Sequence, residues 1–93
     1  MGAEYFEIKV KGATAREAYR SAVEQAIWDW GHQGYSGTIK ETDGFKEFNL
    51  NGKTVEDRIR EIDESGAIDD KWGPCGCIKV DGDAYVFFGW ASS

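Results

Sequence analysis

The side chains able to do covalent or metal chemistry are few. Cys75 and Cys77 are the only cysteines and His32 is the only histidine. Structural zinc takes four ligands, usually in paired Cys-x2-4-Cys or His-x3-5-His spacings, and two thiols with one imidazole fall short of that set. A thiol nucleophile needs a base beside it. His32 meets that need only if a helix end is folded against a strand start. A bridge between Cys75 and Cys77, with Gly76 alone between them, would close a small ring far from good disulfide geometry, so reduced thiols packed in a strand are expected. Among hard ligands, Asp69-Asp70 and Asp81-Gly82-Asp83 lack the spaced oxygen series of a calcium loop. They read as a solvated loop and a turn. No GxxxxGK[ST], G-x-G-x-x-G or G-x-S-x-G motif is present. The expectation is therefore a protein without catalytic residues, metal or cofactor.

Residues that could bind a partner are more numerous. Residues 56–70 hold seven acids against two arginines. If Val55, Ile59 and Ile62 face inward on a helix, Asp57, Glu61 and Glu64 form a stripe on the opposite side. At about 1.5 Å rise per residue their carboxylates are spaced by roughly 4 to 6 Å, on the order of the charge spacing in a nucleic-acid strand. Such a stripe, continued by Asp69 and Asp70, is either a solvated helix face or a decoy for a protein that binds phosphates. Trp28 falls on the polar side of its predicted helix. It is either covered by the segment around Trp72 or by the C-terminal segment, or it is an interface anchor. A cluster of Trp28, Tyr35, Trp72 and Trp90 would instead make an aromatic ligand pocket.

The elements that must position these residues follow from periodicity. Phe6, Ile8 and Val10 alternate with Glu7, Lys9 and Lys11, the period of two of a half-buried strand over Glu4–Lys11. Thr14-Ala15-Arg16-Glu17 is a capping box, and the helix it opens places Ala15, Ala18, Tyr19, Ala22, Val23, Ala26 and Trp30 on one stripe at about 100° per residue. Gly31 and Gly34 end it. Tyr35–Thr42 and Phe45–Leu50 flank Asp43-Gly44 as a hairpin. Thr54 caps a short second helix that closes at Ser65-Gly66, and Pro74 lies in the loop that follows. Asp81-Gly82 turns a final hairpin, whose last strand, Ala84–Trp90, carries the run Tyr85-Val86-Phe87-Phe88 expected of burial on both faces or of a central position in the sheet. The predicted architecture is one α+β domain spanning 1–93: a mostly antiparallel sheet of four to five strands with two helices packed on it, ordered β-α-β-β-α-β-β.

Composition agrees with a single small core: 93 residues, 41% hydrophobic and 30% charged, with thirteen aromatics. The net charge of −6 is one-sided. Five acids balance five bases through Lys40, whereas twelve acids face six bases after it. This argues against direct binding of nucleic acid or anionic membrane and for a basic protein partner. With no apolar run of ~20 residues and no leader-like N-terminus, a cytoplasmic location is expected.

Three short signatures, Tyr35-Ser36-Gly37-Thr38-Ile39, Asp70-Lys71-Trp72-Gly73-Pro74 and Phe87-Phe88-Gly89-Trp90-Ala91, resemble small uncharacterised proteins of bacteriophages and mobile elements. That resemblance implies an anti-defence context, including anti-CRISPR proteins that imitate DNA. The leading expectation is thus a non-enzymatic inhibitor setting Asp57, Glu61, Glu64, Asp69, Asp70, Trp28 and Trp72 against a basic host protein such as a CRISPR effector component. The alternative is a small-ligand (metabolite or nucleotide) binding module with an aromatic pocket.

Overall fold

A computed structural model describes residues 3–31, 39, 42–50, 52–66 and 73–92. Strand β1 (Ala3–Lys11) leads into helix α1 (Ala15–Trp30). Strand β2 (Phe45–Phe48) and helix α2 (Val55–Glu64) follow, and strands β3 (Cys75–Asp81) and β4 (Ala84–Ser92) close the fold as a hairpin. This is the expected α+β architecture, with four described strands in the order β1-β4-β3-β2.

Local chemistry sets the element ends. The Thr14 hydroxyl accepts the Glu17 amide at 3.2 Å and the Thr54 hydroxyl accepts the Asp57 amide at 3.2 Å, each satisfying one of the donors a helix start leaves without an intrahelical partner. Gly31 caps α1 at φ 73°, a conformation that disfavours side chains with a Cβ, and its amide reaches the Ile27 carbonyl at 2.7 Å. The β3–β4 turn falls on Gly82 and Asp83, where Asp81 faces Ala84.

Pairing is antiparallel for β1–β4 and β3–β4 but parallel for β2–β3. Hence β1, β2 and β3 all run in one direction. The chain crosses the sheet from β1 to β2 through α1 and returns by one strand to β3 through α2. Crossovers between parallel strands overwhelmingly share one hand, so reversing the direction of travel puts the two helices on opposite faces.

The packing has that form. On one face the stripe Ala15, Ala18, Ala22 and Ala26 meets Cys75, Cys77, Tyr85 and Phe87, with Phe6, Ile8, Val10 and Phe45 around them. On the other, Ile59 and Ile62 meet Ile78, Val86 and Phe88, with Phe48, Val55 and Val80. Alternate residues of β4 therefore serve two separate layers, which is why its aromatic run is buried throughout.

Two sequence expectations need adjustment. The strand predicted over Tyr35–Thr42 lies, apart from Ile39 and Thr42, outside the described residues. Ile39 occupies a helical turn in which its carbonyl accepts the Thr42 amide at 3.1 Å. The strand predicted over Phe45–Leu50 stops at Phe48, and its described partner is β3 in parallel. An Asp-Gly pair is a hairpin signal only where both flanking segments are free to pair. Here the Asp43 amide is held by the Gly73 carbonyl and the Gly44 carbonyl by the Cys75 amide, each at 3.0 Å. No described helix is long and apolar enough to cross a membrane.

Candidate functional site

The two sheet layers differ in how well they fill. At the β2 side of the α1 layer three rings occupy the space between helix and sheet. Tyr19 lies 5.2 Å from Phe45 and 5.7 Å from Phe87, and Phe45 lies 5.9 Å from Phe87, centroid to centroid. The Tyr19 hydroxyl is also a polar junction. It accepts the Gly44 amide at 3.1 Å and lies 2.7 Å from Thr42 Oγ1, which in turn donates to the Ile39 carbonyl at 2.6 Å. Burial pushes the Tyr19 phenol up from its ordinary value, against the pull of those hydrogen bonds. This junction ties α1 to the segment entering β2. Its only sequence signal is one tyrosine among the alanines of the stripe.

Toward β1 the described residues leave the same layer underfilled. Ala22 and Ala26 extend only a Cβ toward the sheet, and Phe6, Ile8 and Val10 stay half-buried beneath them. The result is a cleft of about 420 Å³ with an apolar floor, lined also by Ile39. Ser21, Gln25 and Asp29 of α1 form its polar rim, where the Gln25 amide donates to Asp29 Oδ1 at 3.2 Å. A volume in this range, an apolar lining and a few polar groups at the mouth are the attributes of small-molecule sites.

A smaller groove of about 340 Å³ lies on the α2 side. Its wall is an edge-to-face pair, Tyr5 and Trp90, with centroids 5.6 Å apart, and the Trp90 indole donates to Asp63 at 3.0 Å. Tyr5 donates to Glu7 at 3.2 Å, and its phenol is held well above the ordinary range by burial first and then by Glu7 and Asp63.

The residues singled out from sequence are dispersed by the fold. Trp28 stands 85% exposed on α1, and the C-terminal segment, paired with β1, does not cover it; the segment around Trp72, the other cover considered, lies outside the described residues. The side of α1 opposite the alanine stripe faces away from every described element. Trp90 belongs to the other sheet face, so Trp28 and Trp90 do not share an aromatic pocket. Tyr35, Trp72, Asp69, Asp70 and His32 lie outside the described residues. Asp57, Glu61 and Glu64 are all exposed on α2. They are not equivalent, because Glu61 is paired with both Lys53 and Arg58, which hold its carboxyl below the usual carboxylate range. Arg58 is partly buried, 5.8 Å above the Phe48 ring.

Cys75 and Cys77 are free thiols, each 1% exposed in the α1 layer. Burial pushes both up to about 12, so neither supplies a thiolate nucleophile near neutral pH. Among the described residues no group of three or more His, Cys, Asp or Glu side chains is placed to hold a metal ion. Comparison with protein-family models, curated sequences and solved structures returned no match.

Proposed function

We propose that this protein is a small-ligand binding module whose site is the cleft between α1 and β1. The observation that carries the reading is the underfilled end of the α1 layer: a cleft of about 420 Å³ floored by Phe6, Ile8, Val10, Ala22 and Ala26. The Tyr19–Phe45–Phe87 cluster supports it by fixing the helix-to-sheet spacing from the opposite end. The ligand is predominantly apolar and carries one hydrogen-bonding group for Ser21, Gln25 and Asp29. A neutral fluorescent probe, N-phenyl-1-naphthylamine, should brighten on binding. Ala26→Leu, which fills the cleft, should weaken that binding about tenfold or more while the fold persists. No enhancement, or enhancement indifferent to Ala26→Leu, would sink the assignment.

A second reading, the non-enzymatic inhibitor of a basic nucleic-acid-binding protein, is favoured by the exposed acids Glu56, Asp57 and Glu64 on one helix. In the phage setting that the short signatures suggest, the partner is a host defence protein such as a CRISPR effector. Capture of such a target should weaken steeply with salt and be lost when Asp57, Glu61 and Glu64 are all changed to lysine. Binding unmoved by that triple change would dismiss it.

A further inference from the structure

We propose that the groove between α2 and the paired strands β1 and β4 binds a small organic cation whose charge is a quaternary ammonium group. The inference goes beyond the ligand reading and does not depend on it, because this groove lies on the opposite face of the sheet from the α1–β1 cleft. Two rings make its wall. Tyr5 of β1 and Trp90 of β4 are cross-strand partners whose planes meet at 65° with centroids 5.6 Å apart, so the rings form a corner. Each ring is fixed at its polar end by a carboxylate: the Tyr5 hydroxyl donates to Glu7 Oε1 at 3.2 Å and the Trp90 indole donates to Asp63 Oδ1 at 3.0 Å. Donation to a carboxylate leaves electron density on the ring, and the face of an electron-rich ring attracts a cation. Tyr5 remains 41% exposed, so the corner is open to solvent.

The charge around the corner has the matching sign. Among the described residues the groove is lined by three carboxylates, Glu7, Glu56 and Asp63, against the one guanidinium of Arg60. Anions are repelled from such a groove and cations drawn to it. The kind of cation follows from the acceptors. Glu7 and Asp63 each already accept from a ring of the wall, so an ammonium group bearing N–H donors competes with the bonds that hold the rings in place. A quaternary ammonium has no donors and is weakly hydrated, and it needs only ring faces and nearby negative charge. The groove volume of about 340 Å³ is at the small end of the range for ligand sites, which suits a molecule the size of choline.

Titration of the isotope-labelled chain with choline tests this, followed by nuclear magnetic resonance at the Trp90 indole N–H, which is assigned by its loss in Trp90→Phe. That resonance should shift saturably. Choline should bind about tenfold or more tighter than its neutral carbon isostere, in which a tert-butyl group replaces the trimethylammonium. Tyr5→Leu removes one ring and should weaken choline about fivefold or more, with circular dichroism to check that the variant keeps its fold. Arg60→Gln removes the competing cation and should tighten choline a few-fold. No saturable shift up to ~10 mM choline overturns the proposal, and so does binding indifferent to Tyr5→Leu. Equal binding of the neutral isostere would leave only an apolar groove, and an equal response to ammonium chloride only unspecific charge, so either result overturns it as well.

Discussion

Gly76 is the position where a single added carbon would be felt most directly. It sits across the β3–β4 pair from Phe88, whose ring lies over it. A Cβ at 76 would come within 2.7 Å of both ring Cε atoms. Phe88 is fully buried, so the ring has nowhere to move. Gly76→Ala should destabilise the fold by about 1–3 kcal/mol, read as a lower urea midpoint at unchanged slope. The thiols on either side of Gly76 make a second case. Below about pH 9 both folded and unfolded chains keep them protonated, so they add no pH dependence there. Above it the unfolded chain releases protons that burial makes the folded chain retain up to about 12. Stability should therefore fall as pH rises from about 9 toward 12, and a variant with Cys75→Ala and Cys77→Ala should lose the part of that fall due to the thiols. At pH 8, iodoacetamide should modify neither thiol in native buffer and both in denaturant.

At the level of elements, the contrast between the helices is informative. The inward side of α1 is mainly alanine over much of its length, and its anchoring comes from Tyr19, which joins ring packing to hydrogen bonds. Helix α2 has only ten residues and rests on Ile59 and Ile62, so its capping weighs more heavily. Thr54→Ala should cost about 1 kcal/mol in denaturant unfolding, whereas Trp28→Ala, on an outer face, should stay within about 0.5 kcal/mol. Unequal results in this sense would confirm that Trp28 is not a core residue. Capping signals were legible because a threonine three residues before an acid satisfies its donors locally. The environment of Trp28 was not, because whether a polar helix face is covered depends on segments distant in sequence.

At the scale of the molecule, β4 joins the two layers. Phe87 and Phe88 are neighbours in the chain and belong to different cores, so each alanine substitution should remove packing from one face only. Each should cost about 3–5 kcal/mol. If the layers are energetically separable, the double variant should be additive to within about 0.5 kcal/mol in a double-mutant cycle. The burial of both rings could be read from an apolar run without alternation. Their assignment to different helices could not, since it follows from the order in which strands are laid down. The acidic second half likewise divides: charge counting located the excess between Glu56 and Asp70, but only the fold distinguished Glu61, ion-paired with Lys53 and Arg58, from the equally exposed Asp57 and Glu64.

By itself the sequence determined the elements whose causes are local. These are the alternation of β1, the caps of α1 and α2, the turn after Asp81, and an α+β domain of four to five strands with two helices. The tertiary structure decided what depends on relative placement. The parallel pairing of β2 with β3 and the return of the chain across the sheet put α1 and α2 on opposite faces. That division parted Trp28 from Trp90 and from the acids of α2. It also set short alanines over β1 and full rings over β2, opening the cleft at one end of the layer. Periodicity records which side of an element is apolar. How far apart two such sides come to rest is set by the side chains that both elements bring to the space between them.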